Sequence, residues 1–315
     1  MQCSIKRYLN TRPETRPTKF VDFFCGFGGA SIGASAAGLE VVLAVDSSNI
    51  ALATHKKNHP KARHVCAKLP LHEPMPVPNG SAQWHLHGSP PCTIISHAHQ
   101  QRSHDDRVKS MELVEWFIQY AISSTATTWS MEQVATPLVL SCMRNCKKKF
   151  CRDKFDYEVF NFRRLGVPQN RRRLIAGSPE VVARLRRAPV DKKAVCDVIE
   201  NPRGTHIRGT KSNSPVGPAV TVNGKRKFSY IKMSHDDCCL PITGHSPCVL
   251  ATHQLYWATP NTGKKIKRRC LDVDESMRLQ CFPPDYKLPR KKLDCYRGIG
   301  NALPPTIMQQ MLAPT

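Results

Sequence analysis

The chain has 315 residues, 40% of them hydrophobic, enough for one large domain or two unequal ones with a full core. Its 47 Lys and Arg against 24 Asp and Glu leave a formal charge of +23, far beyond what solubility needs, and such an excess points to a polyanionic partner, most simply nucleic acid. No apolar run approaches the ~20 residues of a membrane span. The start has no apolar signal core, so the fourteen cysteines are expected as reduced thiols in a nuclear or cytoplasmic protein.

Residues 1–18 are polar and basic, with Pro13 and Pro17 breaking any regular element, and read as an arm. Phe20–Cys25 is a short buried-strand pattern that runs into Gly26-Phe27-Gly28-Gly29-Ala30-Ser31-Ile32-Gly33. A strand, a glycine-rich turn and small helix-compatible residues up to Gly38 make the first βα unit of a Rossmann-like sheet. Glycines there let the backbone approach a ligand closely, or let helices pack tightly. The next strand, Glu40–Val45, ends in Asp46, about 20 positions past the glycine turn, where an acidic side chain is placed to bind ribose hydroxyls. A helix over Asn49–Asn58 follows. There is no GxxxxGK[ST] phosphate loop, so a phosphate-free adenosine ligand such as S-adenosylmethionine fits as well as a dinucleotide.

Arg63–Ala67 is a candidate third strand, and the proline-rich stretch from Pro70 to Pro78 a loop. Trp84–His87 is the fourth strand. It leads into Gly88-Ser89-Pro90-Pro91-Cys92, a stiff turn that holds a cysteine where α/β folds place chemistry. A single cysteine is more often a small buried hydrophobe than a nucleophile. Residues 93–108 are polar and charged and read as a mobile loop near the site, with His97 and His99 as exposed loop histidines. Met111–Ser124 has helical periodicity. Thr127–Met131 is a fifth strand ending in Glu132-Gln133-Val134, which puts the Glu132 carboxylate on the same edge as Cys92 and the glycine turn.

A helix over Thr136–Lys149 has a basic end that suits the macrodipole. Tyr157–Phe162 and Arg172–Ala176 are two further strands, separated by Gly166-Val167-Pro168-Gln169-Asn170-Arg171. The sets Cys142, Cys146, Cys151 and His235, Cys238, Cys239 lack paired CxxC spacing, so no structural metal is expected. Residues 179–293 are irregular. They carry four basic groups: Arg184, Arg186, Arg187; Lys225, Arg226, Lys227; Lys264, Lys265, Lys267, Arg268, Arg269; and Arg290, Lys291, Lys292. Any one group reads as a solvated face; four together favour contact with phosphates, which sets affinity rather than sequence choice. The last helix covers Pro304–Leu312.

In this order the pieces resemble one family, the DNA (cytosine-5)-methyltransferases. Asp22-Phe23-Phe24-Cys25-Gly26-Phe27-Gly28-Gly29 is similar to its S-adenosylmethionine loop, Gly88-Ser89-Pro90-Pro91-Cys92 to its nucleophile motif, and Glu132-Gln133-Val134 to ENV. Gly166 to Arg173 resembles GVPQxRxR, Arg278-Leu279-Gln280-Cys281-Phe282-Pro283 resembles RLQxFP, and Gly300-Asn301-Ala302-Leu303-Pro304-Pro305 resembles GNxxPP. Pro247-Cys248-Val249-Leu250 is similar to the PT[LV]T element, with residues 218–222 as a second candidate. The chain departs at Thr93, where the family usually has Gln, at Gln133, where it has Asn, and near residues 66–68, where its adenine-contacting Asp has no counterpart.

The resemblance implies a Rossmann-like α/β sheet with a smaller, irregular target-recognition domain: a catalytic domain over 19–178 completed by 294–315, and recognition over 179–293. It implies transfer of a methyl group from S-adenosylmethionine to C5 of cytosine in double-stranded DNA, by a monomer. Cys92 is then the nucleophile, Glu132 the carboxyl group at the base N3, and Arg171 and Arg173 the forks for the base O2 and nearby acids. Phe24, Gly26, Phe27, Gly28, Gly29, Asp46, Pro90 and Asn301 would hold the cofactor. Ser96, Arg102 and Gln169 would serve the DNA side, the first two in a loop closing over a flipped-out base. The tRNA-modifying branch carries a Cys-Phe-Thr signature in its recognition region, which is absent here. Silent homologues usually lose the cysteine or the glutamate, and this chain has both.

Overall fold

The computed structural model describes residues 16–70, 75–79, 82–91, 104–150, 154–200, 206–208, 220–222, 225–227, 239–241, 255–258 and 269–313, with single positions between 243 and 251. The first half builds one seven-stranded sheet. Its strands are β1 (Lys19–Phe23), β2 (Glu40–Asp46), β3 (Arg63–Cys66), β4 (Trp84–Gly88), β5 (Thr128–Val134), β6 (Asp156–Asn161) and β7 (Arg172–Gly177). They lie in the order β3-β2-β1-β4-β5-β7-β6. All neighbours from β3 to β5 are parallel, and β7 runs antiparallel to both β5 and β6. The order reverses between β1 and β4, the switch point where open α/β sheets bind ligands beyond the carboxyl ends of the strands.

Alternation along the strands feeds two separate cores. On one face Val21, Phe23, Leu43, Val45, Trp84 and Leu86 pack under α3 (His104–Ser123) and α4 (Pro137–Lys149). On the other, Phe20, Val41 and Ile175 meet α1 (Gly29–Ala36), α5 (Pro179–Arg187) and α8 (Pro305–Leu312). A third cluster joins α6 (Val273–Leu279) and α7 (Lys292–Asn301) to Phe27 of the glycine turn and Ala51 of α2 (Asn49–Asn58). A reciprocal capping box starts α6: Glu275 N–H donates to the Asp272 carboxylate, and Asp272 N–H donates to that of Glu275.

Several boundaries differ from those expected. α3 begins at His104, so residues 104–108, expected as loop, are helical. Their polar composition has no apolar period to reveal a helix. β5 continues through Val134, because Glu132, Gln133 and Val134 pair with Ile175, Leu174 and Arg173 of β7. α5, expected in the recognition region, buries Val181, Val182 and Leu185 in the core shared with α1 and α8. α7 starts at Lys292, so a boundary at 293/294 cuts a helix. Residues 206–270 contribute β8 (His206–Arg208), β9 (Val220–Val222), β10 (Lys225–Lys227), β11 (Cys239–Pro241), β12 (Tyr256–Ala258) and β13 (Arg269–Cys270), paired as β9–β10 and as β11-β8-β12-β13.

Candidate active site

A cavity of about 400 Å³ opens beyond the carboxyl ends of β1, β2, β4 and β5. That volume is within the range of small-molecule and cofactor sites. Asp22, Asp46, Glu132 and Asp294 bring four carboxylates to its wall, beside the two cations Lys68 and Arg297, although the whole chain is strongly positive.

The β1 end is built around backbone geometry that few residues accept. Phe24 and Gly26 both have positive φ, 57° and 52°. For a bulky side chain such as Phe24 this conformation costs roughly 1–3 kcal/mol and persists only where the surroundings impose it. A Cβ on Gly26 would meet nothing within 4 Å, so its backbone is bare toward open space. Asp46 fixes the turn: Gly26 N–H donates to one carboxylate oxygen at 2.9 Å and Ser48 N–H to the other at 2.8 Å. Each oxygen keeps an acceptor site for a ligand hydroxyl.

Phe24, Gly26, Phe27, Gly29, Asp46, Pro90 and Asn301 all line the cavity. Gly28, expected with them, does not. A Cβ there would lie 2.8 Å from His55 Cδ2, so this glycine makes room for the histidine. Gly29 has a second reason to be glycine: its Cβ would fall 2.2 Å from the Leu303 carbonyl oxygen. The Gly28–Gly29 pair thus serves packing at least as much as ligand approach.

Asp22, placed by the sequence only within a motif, is 1% exposed and accepts a 2.6 Å hydrogen bond from Ser31 Oγ. His55 Nε2 lies 2.9 Å from Ser31 Oγ, and His55 Nδ1 lies 2.9 Å from His64 Nε2. Burial raises the Asp22 carboxyl to about 7, with Asp46 adding to the rise and the Ser31 hydrogen bond opposing it. Burial, and after it the neighbouring histidines, hold His55 well below the usual imidazole range. A lone acidic residue inside the apolar run Phe-Val-Asp-Phe-Phe was the available signal for Asp22.

Another part of the cavity wall comes from β4 and β5. Ser89, Pro90, Pro91 and Glu132 line the cavity together. Gln133 Nε2 donates to the Pro90 carbonyl at 3.1 Å, tying the proline turn to β5. The longer Gln side chain therefore makes a firm anchor at the departure from ENV. Arg173 Nε lies 2.9 Å from Glu132 Oε1 in a largely buried ion pair. Its N–H is not directed at that oxygen, which has no oriented hydrogen bond among the described residues. Cys92, Ser96 and Arg102 lie outside the described residues.

Two expected site residues are committed elsewhere. Arg171 is 1% exposed and donates to the carbonyl oxygens of Val249 (3.1 Å), Gly300 (3.2 Å) and Ala302 (3.1 Å). It ties the C-terminal return and residue 249 to the sheet instead of offering a fork to a base. Burial, then the nearby Arg173, lowers its proton affinity. Gln169, expected on the DNA side, is fully buried. Its amide donates to Leu279 O and Gln280 Oε1 and accepts from Val249 N–H, so both ends are used internally.

The family described as C-5 cytosine-specific DNA methylase matches residues 18–313. The Type II methyltransferase M.XorII of Xanthomonas oryzae pv. oryzae is 30% identical over 174 residues, 51% of this chain and 40% of that protein. The chain therefore spans less than half the length of this curated relative. Among solved structures, a prophage-encoded E. coli protein described as a DNA modification methyltransferase superposes with a TM-score of 0.60 at 18% identity, covering 93% of this chain and 97% of that one. The Dnmt2 methyltransferase of S. pombe superposes with a TM-score of 0.57 at 14% identity, covering 93% and 96%. Likeness at these identities is likeness of fold.

Proposed function

From a chain that belongs to the C-5 cytosine-specific DNA methylase family, we infer an enzyme that methylates C5 of cytosine in DNA, with S-adenosylmethionine as methyl donor. What carries the reading is one cavity that unites the Ser89–Pro91 turn, leading directly to Cys92, with Glu132 and its Arg173 partner, and that the Gly26 turn also lines. The cavity fits the donor chemically. Its open Gly26 backbone and Asp46 suit an adenosine, and its four carboxylates, against two cationic side chains, suit a cationic group. When bound, S-adenosylmethionine supplies an electrophilic methyl group on a sulfonium.

The residues of the chain supply the rest. Cytosine C5 is a poor nucleophile, and addition of the Cys92 thiolate to C6 makes it an enamine-like carbon able to accept a methyl group. A thiolate suits this role because it attacks strongly and leaves again. Glu132, which lines the cavity, shares a proton with N3 as charge builds on the ring. Arg173 holds that carboxylate in place. Loss of the C5 proton to water then expels Cys92 as thiolate. The base must leave the duplex to reach the cavity, at a cost of a few kcal/mol, and the net charge of +23 supplies phosphate contact.

Transfer of a radiolabelled methyl group to duplex DNA, with tRNA as the parallel substrate, tests the reading. Label in DNA is expected in the wild-type chain and none with Cys92→Ala, while DNA binding by that variant persists. Label in tRNA alone would reassign the substrate, and normal turnover by Cys92→Ala would remove the nucleophile.

A further inference from the structure

The face of the sheet under α1, α5 and α8 carries an unusual stripe. Where β4 and β5 run side by side, the register pairs His85 with Thr128 and His87 with Ser130. All four residues are buried, the two histidines and Ser130 at 0% exposure. They form one unbroken relay. His85 Nδ1 lies 2.7 Å from Thr128 Oγ1, and His85 Nε2 lies 2.8 Å from Ser130 Oγ. Ser130 Oγ is also 2.8 Å from His87 Nδ1, and His87 Nε2 is 2.9 Å from Ser89 Oγ. Phe20 stacks along both rings, at 5.7 Å from His85 and 6.3 Å from His87. The relay therefore starts deep in the core and ends at Ser89, which lines the cavity three positions before Cys92.

Hydrogen accounting gives the relay a direction. Burial lowers the proton affinity of both rings. For His85 it acts with His87 and the Arg184 guanidinium; His87 falls to about 3. Each ring is neutral at physiological pH and carries one N–H. Ser130 has one hydroxyl hydrogen, and where it donates that hydrogen to one ring and accepts from the other, the four bonds all point the same way. In one sense Ser89 spends its hydrogen on His87 Nε2. In the other, His87 Nε2–H donates to Ser89, whose own hydrogen is then available to the cavity. Buried networks of this kind are stable only when every member is satisfied, and both senses give every ring nitrogen a partner.

We propose that His87 is a positioning residue of the methyl-transfer site: through Ser89 it fixes the turn leading to Cys92 and sets which way the Ser89 hydroxyl points into the cavity. The proposal rests on the functional reading above, so two measurements keep their failures apart. The first needs no activity. Nitrogen NMR of the imidazoles in the full chain is expected to show His87 neutral, with its single N–H on one ring nitrogen. Ser89→Ala, which removes a small, half-buried group, is expected to shift the His87 signals and, through Ser130, those of His85. Unchanged ring signals would overturn the proposal whether or not the chain is an enzyme.

The second measurement is kinetic. His87→Leu and Ser89→Ala are each expected to lower kcat about tenfold, with the KM for S-adenosylmethionine within about threefold. The double variant should be no slower than the worse single, because both remove one contact. His87→Gln, which keeps a donor within reach of Ser89, should recover most of the rate. Additive losses, or losses that follow the folded fraction alone, would make the histidine merely structural. A wild-type chain that methylates nothing would defeat the functional reading and leave the NMR result to decide on His87.

Discussion

Asp22 is a carboxyl group whose protonation state is coupled both to folding and to the cavity it lines. It is buried beside Asp46 and titrates near 7 in the folded chain, against about 4 for an exposed aspartate. Between those values the folded chain binds more protons than the unfolded one. The stability contribution of Asp22 is therefore fully present below about pH 4 and is lost as pH rises through 7, by up to about 1.4 kcal/mol per pH unit. Asp22→Asn should flatten that slope in urea unfolding measured from pH 5 to pH 8. Ligand binding should show the opposite sign. A sulfonium donor prefers the ionised carboxylate, so its affinity should rise from pH 6 to pH 8 in calorimetry and lose that dependence in Asp22→Asn. An affinity that rises equally in the variant would place the titrating group elsewhere.

Glycines at the start of α1 do two separable jobs, and the sequence could not divide them. Gly33 lets α1 lie against α8: a Cβ there would sit 2.2 Å from the Pro305 carbonyl oxygen and 2.7 Å from Met308 Cβ. Gly26 faces open space at φ 52°. Gly33→Ala should therefore destabilise the fold by about 1–3 kcal/mol, as overpacking does. Gly26→Ala should cost about 1 kcal/mol of backbone strain and act mainly by weakening cofactor binding. Thermal unfolding and calorimetry on the pair would separate the roles; equal stability losses would refute the division.

The same contrast explains what was legible beforehand. Strand–turn–helix succession is written in local period and glycine content, so β1, α1, β2 and α2 were placed to within a few residues. Long-range partners are not written locally. The Glu132–Gln133–Val134 segment looks like the end of a strand until β7 pairs with it. Arg171 and Gln169 sit in a motif that suggests contact with substrate, yet the carbonyls that engage them come from residues 249, 279, 300 and 302. His85, His87, Thr128 and Ser130 are ordinary polar strand residues in the sequence, and only the β4–β5 register joins them into one relay.

At the scale of the whole molecule, the charge of +23 is not spread evenly over function. The basic group on α5, expected to meet phosphate, is partly committed within the fold. Arg186 pairs with Glu158 at 2.7 Å and Asp156 at 3.1 Å, and Arg184 donates to the Met311 carbonyl. Arg290, Lys291 and Lys292 instead lead into α7, all exposed, on the helix that brings Asp294, Arg297 and Asn301 to the cavity. Phosphate contact is read by salt: each neutralised phosphate adds about 0.9 to the slope of log K against log salt. Replacing Arg290, Lys291 and Lys292 together with Gln should lower DNA affinity and reduce that slope by about 2–3 if each meets one phosphate, with little change in unfolding. Arg186→Gln should do the reverse: an unchanged salt slope and a stability loss of about 1 kcal/mol or less, as for an exposed ion pair. Fluorescence anisotropy with a duplex at several salt concentrations measures both. A slope that falls with Arg186→Gln and not with the triple variant would move the DNA face from α7 to α5, and with it the side from which a flipped base enters the cavity.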